Sequence, residues 1–221
     1  MQTMKKFLVT VCFIILFSVN SHCESEKYIA LTFDDGPHTK YTLEILDILK
    51  EYNVRATFFI IGENAEKHPD ILDKIINSGC EVGNHTWSHA YLDKCTEEEI
   101  RLELEKTDKL IKKHTGSSPL CFRPPGGRGN EKVLKIADEM GYATILWSKD
   151  TRDWSCPPVD DVISSVLSQT ENGDIVLFHD YNAKNSPTPE ALRQILPDLL
   201  SEGYIPITVS EMINLFKQNN K

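Results

Sequence analysis

Short apolar runs alternate with helix-forming segments along most of the chain, and this alternation constrains the fold more than any other feature. Apolar runs bounded by turn residues predict seven strands, at residues 28–33, 56–61, 80–83, 120–123, 142–147, 174–178 and 204–209. Amphipathic spacing predicts helices between them, at 39–52, 64–78, 96–114, 131–140, 159–170, 189–201 and 211–217. Strands that alternate with helices form a parallel sheet, either open or closed into a barrel.

Two local patterns sharpen the helix predictions. Thr96-Glu97-Glu98-Glu99 has the spacing of a capping box and opens the long charged helix, which Gly116 follows. Pro197 conflicts with the predicted helix at 189–201, because a proline inside a helix is expected to kink or break it.

The first 23 residues differ in character from the domain, which is predicted to span 27–216. Lys5 and Lys6 precede an apolar run at 7–19, and small polar residues follow it. This pattern is typical of a secretory signal peptide, so the protein is expected to be secreted or to lie in the cell wall. The alternative is an uncleaved segment that tethers the protein to a membrane, although the run is short for a membrane span. No later stretch could cross a membrane, so no stable span is expected in the mature form.

Charge argues against a nucleic-acid partner. Without the first 23 residues, which carry Lys5 and Lys6 and no acidic residue, the formal net charge changes from −9 to −11. Proteins that bind phosphate backbones need basic patches. Cys80, Cys95, Cys121 and Cys156 remain in the domain, and the sequence leaves their pairing open.

Two adjacent carboxylates, Asp34 and Asp35, end the first predicted strand just before Gly36-Pro37. Because side chains alternate along a strand, the two aspartates are expected to point in different directions. One can then serve a task that the other cannot. An isolated Asp-Asp-Gly is most often a solvated turn, so a catalytic interpretation depends on partner groups elsewhere in the chain.

Two histidines, His85 and His89, follow the third predicted strand. Their spacing would place both imidazoles on one face of a helical turn, as in many metal sites. Such a pair also arises by chance. With one carboxylate from another strand end it forms a set that suits catalytic zinc, and also non-haem iron.

Further polar or aromatic residues follow the fourth, fifth and sixth strands. They are Arg123 and Gly126, then Asp150 and Trp154, then His179 after Leu177. Each has an ordinary explanation when taken alone, such as a surface ion pair for Arg123. All of them follow predicted parallel strands at the carboxyl end, where α/β folds place their active sites.

These motifs resemble those of the polysaccharide deacetylase family, the NodB-homology or carbohydrate esterase family 4 enzymes. The most specific are the segments 32–37 and 85–89, and the resemblance extends over 27–216. It implies a single α/β domain, a distorted (β/α)7 barrel. It also implies a metal-dependent hydrolase that removes N-acetyl groups from amino-sugar polymers, either peptidoglycan N-acetylglucosamine or chitin-type oligosaccharides, and releases acetate.

The resemblance also implies how the metal and the base are held. Asp35, His85 and His89 would be the metal ligands. Zinc is the expected ion, with cobalt and nickel as alternatives. Asp34 would be the general base that takes a proton from a metal-activated water, oriented by Arg123.

On the other side of the site, the resemblance assigns His179 as the general acid, tethered by Asp150. Trp154 and Leu177 would line the pocket for the acetyl methyl group. The N–H of Gly126 would help to hold the oxyanion. Many family members have an aromatic residue at this position, so Gly126 keeps the N–H but lacks the ring.

Other functions stay open at this stage. Within the family, the chain could be an acetyl-xylan O-deacetylase or a catalytically silent carbohydrate-binding homologue. Outside it, a non-haem iron oxygenase could use the same three ligands, although the α/β alternation and the additional acid and base argue against this. The active form is expected to be a monomer.

Overall fold

The computed structural model of the chain describes residues 26–181 and 185–219, so the predicted signal segment lies outside the described residues. The strands in the described part are β1 (Lys27–Asp34), β2 (Thr57–Ile60), β3 (Glu81–Asn84), β4 (Cys121–Phe122), β5 (Ala143–Thr144), β6 (Lys149–Asp150), β7 (Asp174–His179) and β8 (Tyr204–Pro206). The α-helices are α1 (Tyr41–Glu51), α2 (Gly62–Lys67), α3 (Pro69–Asn77), α4 (Glu97–Thr115), α5 (Glu131–Glu139), α6 (Val159–Leu167), α7 (Thr188–Ser201) and α8 (Val209–Asn219).

All the strand pairs are parallel, and β1 lies at the centre of the sheet. The strand order is β5-β4-β3-β2-β1-β7-β6, and β8 pairs with the first half of β1. The two edge strands, β5 and β6, are consecutive in the chain and do not pair with each other in the described residues. Residues 145–148 therefore span the gap between the two edges of the curled sheet. This architecture confirms the expected distorted barrel of the α/β class.

The predicted strand at 142–147 is shortened to β5, and a short strand that was not predicted, β6, follows it, so the described residues form eight strands rather than seven. The chain leaves the sheet after β5 because a buried arginine side chain takes two carbonyl groups from it. Arg123 donates from Nε to the Ile145 carbonyl at 3.3 Å and from a terminal nitrogen to the Leu146 carbonyl at 3.2 Å. The chain joins the sheet again where Ser148 N–H donates to the Ile175 carbonyl at 2.9 Å.

Two prolines act differently from each other. The predicted helix at 64–78 is broken into α2 and α3 at His68, because the residue before a proline is disfavoured in helical geometry, and Pro69 begins the next helix. Helix α7 instead continues through Pro197 without the expected break. The Arg193 carbonyl, which Pro197 has no N–H to bind, accepts a hydrogen bond from the Tyr52 hydroxyl at 3.4 Å.

The capping box at the start of α4 is confirmed. Thr96 Oγ1 accepts from the N–H of Glu99, and the Glu99 carboxylate accepts from the N–H of Thr96 at 2.7 Å. The helix ends at Gly116, which adopts a left-handed conformation with φ of 83°. None of the helices in the described part of the chain is long and apolar enough to cross a membrane.

The core is built around β1, which is covered on both faces. Six consecutive residues of β1, from Ile29 to Asp34, are buried. On one face Phe33 stacks against its register partners Phe58 in β2 and Phe178 in β7, with ring centroids 4.9 and 5.5 Å away. Such burial on both faces is typical of parallel strands in α/β proteins. Cys80 and Cys121 are buried free thiols, and burial raises the pKa of Cys121 to about 12. The rigid centre of the sheet fixes the position of the polar residues that follow β1.

Candidate active site

The carboxyl ends of β1, β3, β4 and β7 bring the predicted site residues to one edge of the sheet. Asp34 at the end of β1 pairs in register with His179 at the end of β7. His85 and Arg123 directly follow β3 and β4, two strands that pair through Asn84 and Phe122. Asp34, His85, Arg123 and His179 therefore lie at the same edge of the sheet.

Asp34 and Arg123 form a buried ion pair. Asp34 Oδ1 accepts from a terminal nitrogen of Arg123 at 2.7 Å, and the same nitrogen donates to Thr32 Oγ1 at 2.8 Å. Arg123 is fully buried, and its guanidinium carbon lies 4.2 Å from the centre of the Phe59 ring. Because the guanidinium is held on several sides, it fixes the orientation of the carboxylate. The predicted contact between Arg123 and Asp34 is present.

Asp35 turns away from Asp34 and toward the two histidines. Its backbone adopts a left-handed conformation with φ of 77°. Asp35 Oδ1 lies 3.4 Å from His85 Nε2 and 3.3 Å from His89 Nε2. Burial raises the pKa of Asp35, but its close contact with His85 and the charges of the nearby histidines outweigh this effect and lower it to about 2. The carboxylate is therefore ionised at neutral pH.

The two histidines do not lie on a helical turn as predicted, but on an irregular loop. Thr86 and His89 both have positive φ angles, 70° and 60°. Helix α4 holds this loop through Glu103, whose carboxylate accepts from the N–H groups of Trp87 and Ser88 at 2.9 and 2.8 Å. A loop fixed in this way directs both imidazoles toward Asp35.

The main chain of Arg123 orients His85. His85 Nδ1 lies 2.7 Å from the Arg123 carbonyl, and since a carbonyl can only accept, Nδ1 carries the proton. In the neutral ring, the lone pair of Nε2 then faces Asp35, as a metal ligand requires. Burial lowers the pKa of His85, but the nearby charges of Asp34 and Asp35 outweigh it, so the pKa is raised overall. Metal binding would therefore displace a proton from this ring.

His179 is held by Asp153, so the prediction that Asp150 tethers it is wrong. His179 Nδ1 lies 2.7 Å from Asp153 Oδ1, and the backbone N–H of His179 donates to Asp153 Oδ2 at 2.8 Å. Asp150 is exposed and accepts from the N–H of Arg152. The chain turns at Arg152, which has a φ of 53°, and this turn carries the buried Asp153 beneath the end of β7.

The surroundings of His179 favour its protonated form. Burial lowers its pKa, but the hydrogen bond to Asp153, the charge of Asp153 and the charges of Asp34 and Asp35 raise it to about 9. Asp153 is 1% exposed and also accepts from the Thr188 hydroxyl at 2.5 Å. The ring therefore has the protonation state that a general acid needs near neutral pH.

The three residues predicted to contact substrate differ in exposure. Leu177 is buried within β7, whereas Trp154 is 59% exposed beside Asp153. Gly126 is exposed in a short turn and has a φ of 62°, a conformation that favours glycine.

Asp180, which the sequence analysis did not single out, packs beneath the turn after β1. Its carboxyl group is buried and accepts from Thr42 Oγ1 at 2.5 Å. A Cβ at Gly36 would lie 2.1 Å from Asp180 Oδ2, so only glycine allows this close approach. Burial, together with the charge of Asp35, raises the pKa of Asp180 to about 7. The Gly-Pro break after the two aspartates was the available sign of a tight turn, but it does not reveal the acid beneath it.

Comparison with known proteins identifies the family. Residues 21–145 match the family model described as polysaccharide deacetylase. The chain is 42% identical over 191 residues to a peptidoglycan-N-acetylglucosamine deacetylase of Bacillus cereus, covering 86% of this chain and 89% of the relative. The chain belongs to the polysaccharide deacetylase family. This confirms the family and the hydrolase class expected from the motifs.

Solved structures of polysaccharide deacetylases share the fold. The crystal structure of the Bc1960 peptidoglycan N-acetylglucosamine deacetylase matches with a TM-score of 0.83 and 39% identity, covering 85% of this chain and 88% of that one. The structure of wild-type BA3943, a family pseudoenzyme from Bacillus anthracis, also matches, with a TM-score of 0.79, 33% identity and coverage of 85% and 66%. Because an enzyme and a pseudoenzyme share this fold, the site residues must decide whether a member is active.

Polysaccharide deacetylases are metal-dependent, and this chain has residues that fit a metal ion. The ligand atoms of Asp35, His85 and His89 lie within 4.8 Å of one another. Asp35 Oδ1 is buried and has no hydrogen-bond partner among the described residues. In a tetrahedral zinc site with bonds of about 2.0–2.1 Å, two ligand atoms are about 3.3 Å apart. The distances from Asp35 Oδ1 to Nε2 of His85 and of His89 match this separation. A bound ion would provide the partner that this oxygen lacks.

The contact between His179 and Asp153 predicts a measurable titration. In the metal-free protein, we expect the pKa of His179 to be about 9. Asp153→Asn should lower it, because the amide removes the negative charge that stabilises the imidazolium. Asp150→Asn is the matched control and should leave the pKa unchanged, since Asp150 is exposed and bonded to Arg152. NMR of the imidazole nitrogens across a pH titration measures all three proteins. A larger shift in the control than in Asp153→Asn would contradict this pairing.

Proposed function

We propose that this protein is a secreted, zinc-dependent deacetylase that removes N-acetyl groups from the glucosamine residues of peptidoglycan. The observation that carries this proposal is the buried, unpartnered oxygen of Asp35 at ligand spacing from two histidine nitrogens. A base candidate and an acid candidate flank this group. The substrate is inferred from the 42% identity with the Bacillus cereus enzyme over most of both chains.

Asp35, His85 and His89 would hold the ion. A zinc ion bound there would supply a Lewis acid and a water of lowered pKa. Two histidines and one carboxylate also suit iron, cobalt or nickel, so the choice of zinc is part of the proposal. Within the chain, the Arg123 carbonyl would keep His85 in the tautomer that presents Nε2 to the ion.

Asp34 would act as the general base. Its Oδ1 is occupied by Arg123, whereas Oδ2 lies 3.7 Å from Nε2 of the ligand His85. Oδ2 would therefore be the oxygen that takes a proton from the attacking water. The guanidinium beside Oδ1 would keep the carboxylate correctly oriented for this transfer.

His179 would act as the general acid. Since Asp153 occupies Nδ1, the proton for the departing amine would come from Nε2. The products would be acetate and a free amino sugar. The N–H of Gly126 would stabilise the developing negative charge on the carbonyl oxygen, and Trp154 with Leu177 would border the acetyl methyl group.

The function is tested by acetate release from three acetylated polymers. We expect the zinc-loaded protein to release acetate from peptidoglycan and, second to it, from chitin oligomers. A chelator should abolish release, and added zinc should restore it. The metal-free protein serves as the control. Release mainly from acetylated xylan would identify an O-deacetylase, and a zinc-loaded protein that releases no acetate from any polymer would be a silent homologue.

Substitution of the two adjacent aspartates should impair two different properties, turnover and zinc binding. Asp34→Asn removes the base without removing a ligand, so turnover should fall by about 10²–10⁴-fold while zinc content is retained. Asp35→Asn removes a charged ligand, so zinc affinity itself should fall. Zinc stoichiometry by mass spectrometry and turnover by acetate release separate the two effects. Equal loss of zinc from both variants would contradict this division of roles.

We also propose that residues 1–23 direct export and are cleaved between about residues 21 and 24. The mature protein would act outside the cytoplasm as a monomer. N-terminal sequencing of protein recovered from the culture medium should find a new terminus in this interval, and light scattering measures its mass. Recovery of only full-length protein in the membrane fraction would instead support an uncleaved anchor.

A further inference from the structure

The ring of Tyr91 lies beside Gly126. A Cβ at Gly126 would be 3.4 Å from Tyr91 Cε1. The Tyr91 ring centroid is also 6.1 Å from that of the ligand candidate His89. Tyr91 therefore brings an aromatic ring from a different loop to the rim of the site next to Gly126.

This ring is exposed although its loop is firmly held. Tyr91 is 43% exposed, whereas the next residue, Leu92, is fully buried in the core between α4 and α5. The Tyr91 carbonyl accepts from the N–H of Lys94 at 3.1 Å, which closes a short helical turn. The side chain of Asn130 donates to the Asp93 carbonyl at 3.5 Å and so links this turn to the loop that contains Gly126. A large aromatic ring on a fixed turn beside the site is a preformed contact surface.

Two cationic side chains lie against the same ring. The guanidinium carbon of Arg128 is 4.5 Å from the ring centroid, and Lys94 Nζ is 5.8 Å from it. Both side chains are exposed. Neither forms an ion pair with a carboxylate in the part of the chain that the structure describes. In a chain with a formal net charge of −9, two uncompensated cations around one ring form a local positive surface.

We propose that Tyr91, Arg128 and Lys94 form a subsite for the sugar next to the one that is deacetylated, and that this subsite favours a neighbour carrying a carboxylate. The inference rests on the proposed function and adds a substrate preference to it. The aromatic ring would contact the apolar face of the sugar. The planar Arg128 guanidinium can bind a carboxylate through two hydrogen bonds while it stays stacked on the ring.

This subsite distinguishes two candidate polymers. In peptidoglycan, the neighbour of each N-acetylglucosamine carries a lactyl ether that ends in a carboxyl group or in a peptide with carboxylates. In chitin oligomers, the neighbour is another neutral N-acetylglucosamine. The positive surface around Tyr91 therefore favours peptidoglycan, on grounds independent of the relatives' names.

The test compares two tetrasaccharides of equal length. One is the neutral tetramer of N-acetylglucosamine, and the other is a peptide-free peptidoglycan fragment with free lactyl carboxylates. KM and kcat are measured by acetate release for the wild type and for Tyr91→Ala, Tyr91→Phe, Arg128→Ala and Lys94→Ala. Lys113→Ala, which removes an exposed cation near the end of α4, is the control for a change in overall charge. Zinc content is measured for every variant.

We expect Arg128→Ala to raise KM for the carboxylate-bearing fragment by about tenfold, as for loss of a hydrogen bond to a charged group, and to leave KM for the neutral tetramer nearly unchanged. Lys94→Ala should act in the same direction but more weakly, and added salt should reduce both effects. Tyr91→Ala should raise KM for both substrates, and Tyr91→Phe should restore it. Equal effects of Arg128→Ala on the two substrates, or no larger effect than that of Lys113→Ala, would overturn the proposed preference.

Two further measurements keep the outcome clear. If Tyr91→Ala loses zinc because Tyr91 lies near His89, Arg128→Ala decides the question, since Arg128 contacts no proposed ligand. Calorimetric binding of both tetrasaccharides to zinc-loaded Asp34→Asn protein, with and without Arg128→Ala, tests the subsite without turnover. Tighter binding of the carboxylate-bearing fragment by the Asp34→Asn protein with Arg128 intact would support the subsite. If the wild type nevertheless released no acetate, the proposed function alone would be refuted. Equal binding of both fragments would refute the subsite alone.

Discussion

The buried guanidinium of Arg123 is the interaction on which the site and the local course of the sheet both depend. A buried charge is costly unless it is paired and fully hydrogen-bonded. Asp34, Thr32 Oγ1 and two main-chain carbonyls meet this requirement for Arg123. The two carbonyls, of Ile145 and Leu146, directly follow β5, so their bonds to this side chain mark the point at which the chain leaves the sheet. The carbonyl of the same residue orients His85, so one residue links the proposed base Asp34 to the proposed ligand His85.

The two adjacent aspartates show how a strand end can separate two tasks. Asp34 is the last residue of β1 and faces the buried arginine, whereas Asp35 has left the strand with a φ of 77° and faces the histidines. The turn that permits this change packs directly on the buried carboxyl group of Asp180, against which only a glycine at position 36 fits. A positive φ is costly for a residue other than glycine and persists only where the surroundings impose it. Here Arg123 contacts Asp34 on one side, and the two histidines contact Asp35 on the other.

The rim of the site differs in character from its interior. In the interior, the carboxylates of Asp34, Asp35 and Asp153 each face a guanidinium or an imidazole group. The rim at Tyr91 is aromatic and carries cations that have no acidic partner in the described part of the chain. In the proposed function, this arrangement would separate chemistry from recognition: groups fixed by strand ends would act on the acetamide, and loop residues would contact the rest of the polymer. Loops on a rigid scaffold are the usual location for such specificity.

The sequence by itself determined the fold class and most of the site, because both depend on patterns that are local or periodic. Alternating strands and helices predict a parallel sheet, and polar residues that follow the strands predict an active site at the carboxyl edge of that sheet. His85 and His89 were found in this way, as was the Thr96 capping box, which requires only four consecutive residues. The conformation of the histidine loop was not found, because it depends on Glu103 in a helix that follows it.

Only the tertiary structure decided which aspartate holds His179. Asp150 and Asp153 lie in one short segment, and the turn at Arg152 places only the second beneath β7. The early end of the fifth predicted strand likewise depends on Arg123, which lies more than twenty residues earlier in the chain. The contact of Tyr91 with the space beside Gly126 joins loops 35 residues apart. Each of these features depends on a contact with a side chain from another part of the chain. Neither secondary-structure propensity nor local spacing predicts such a contact.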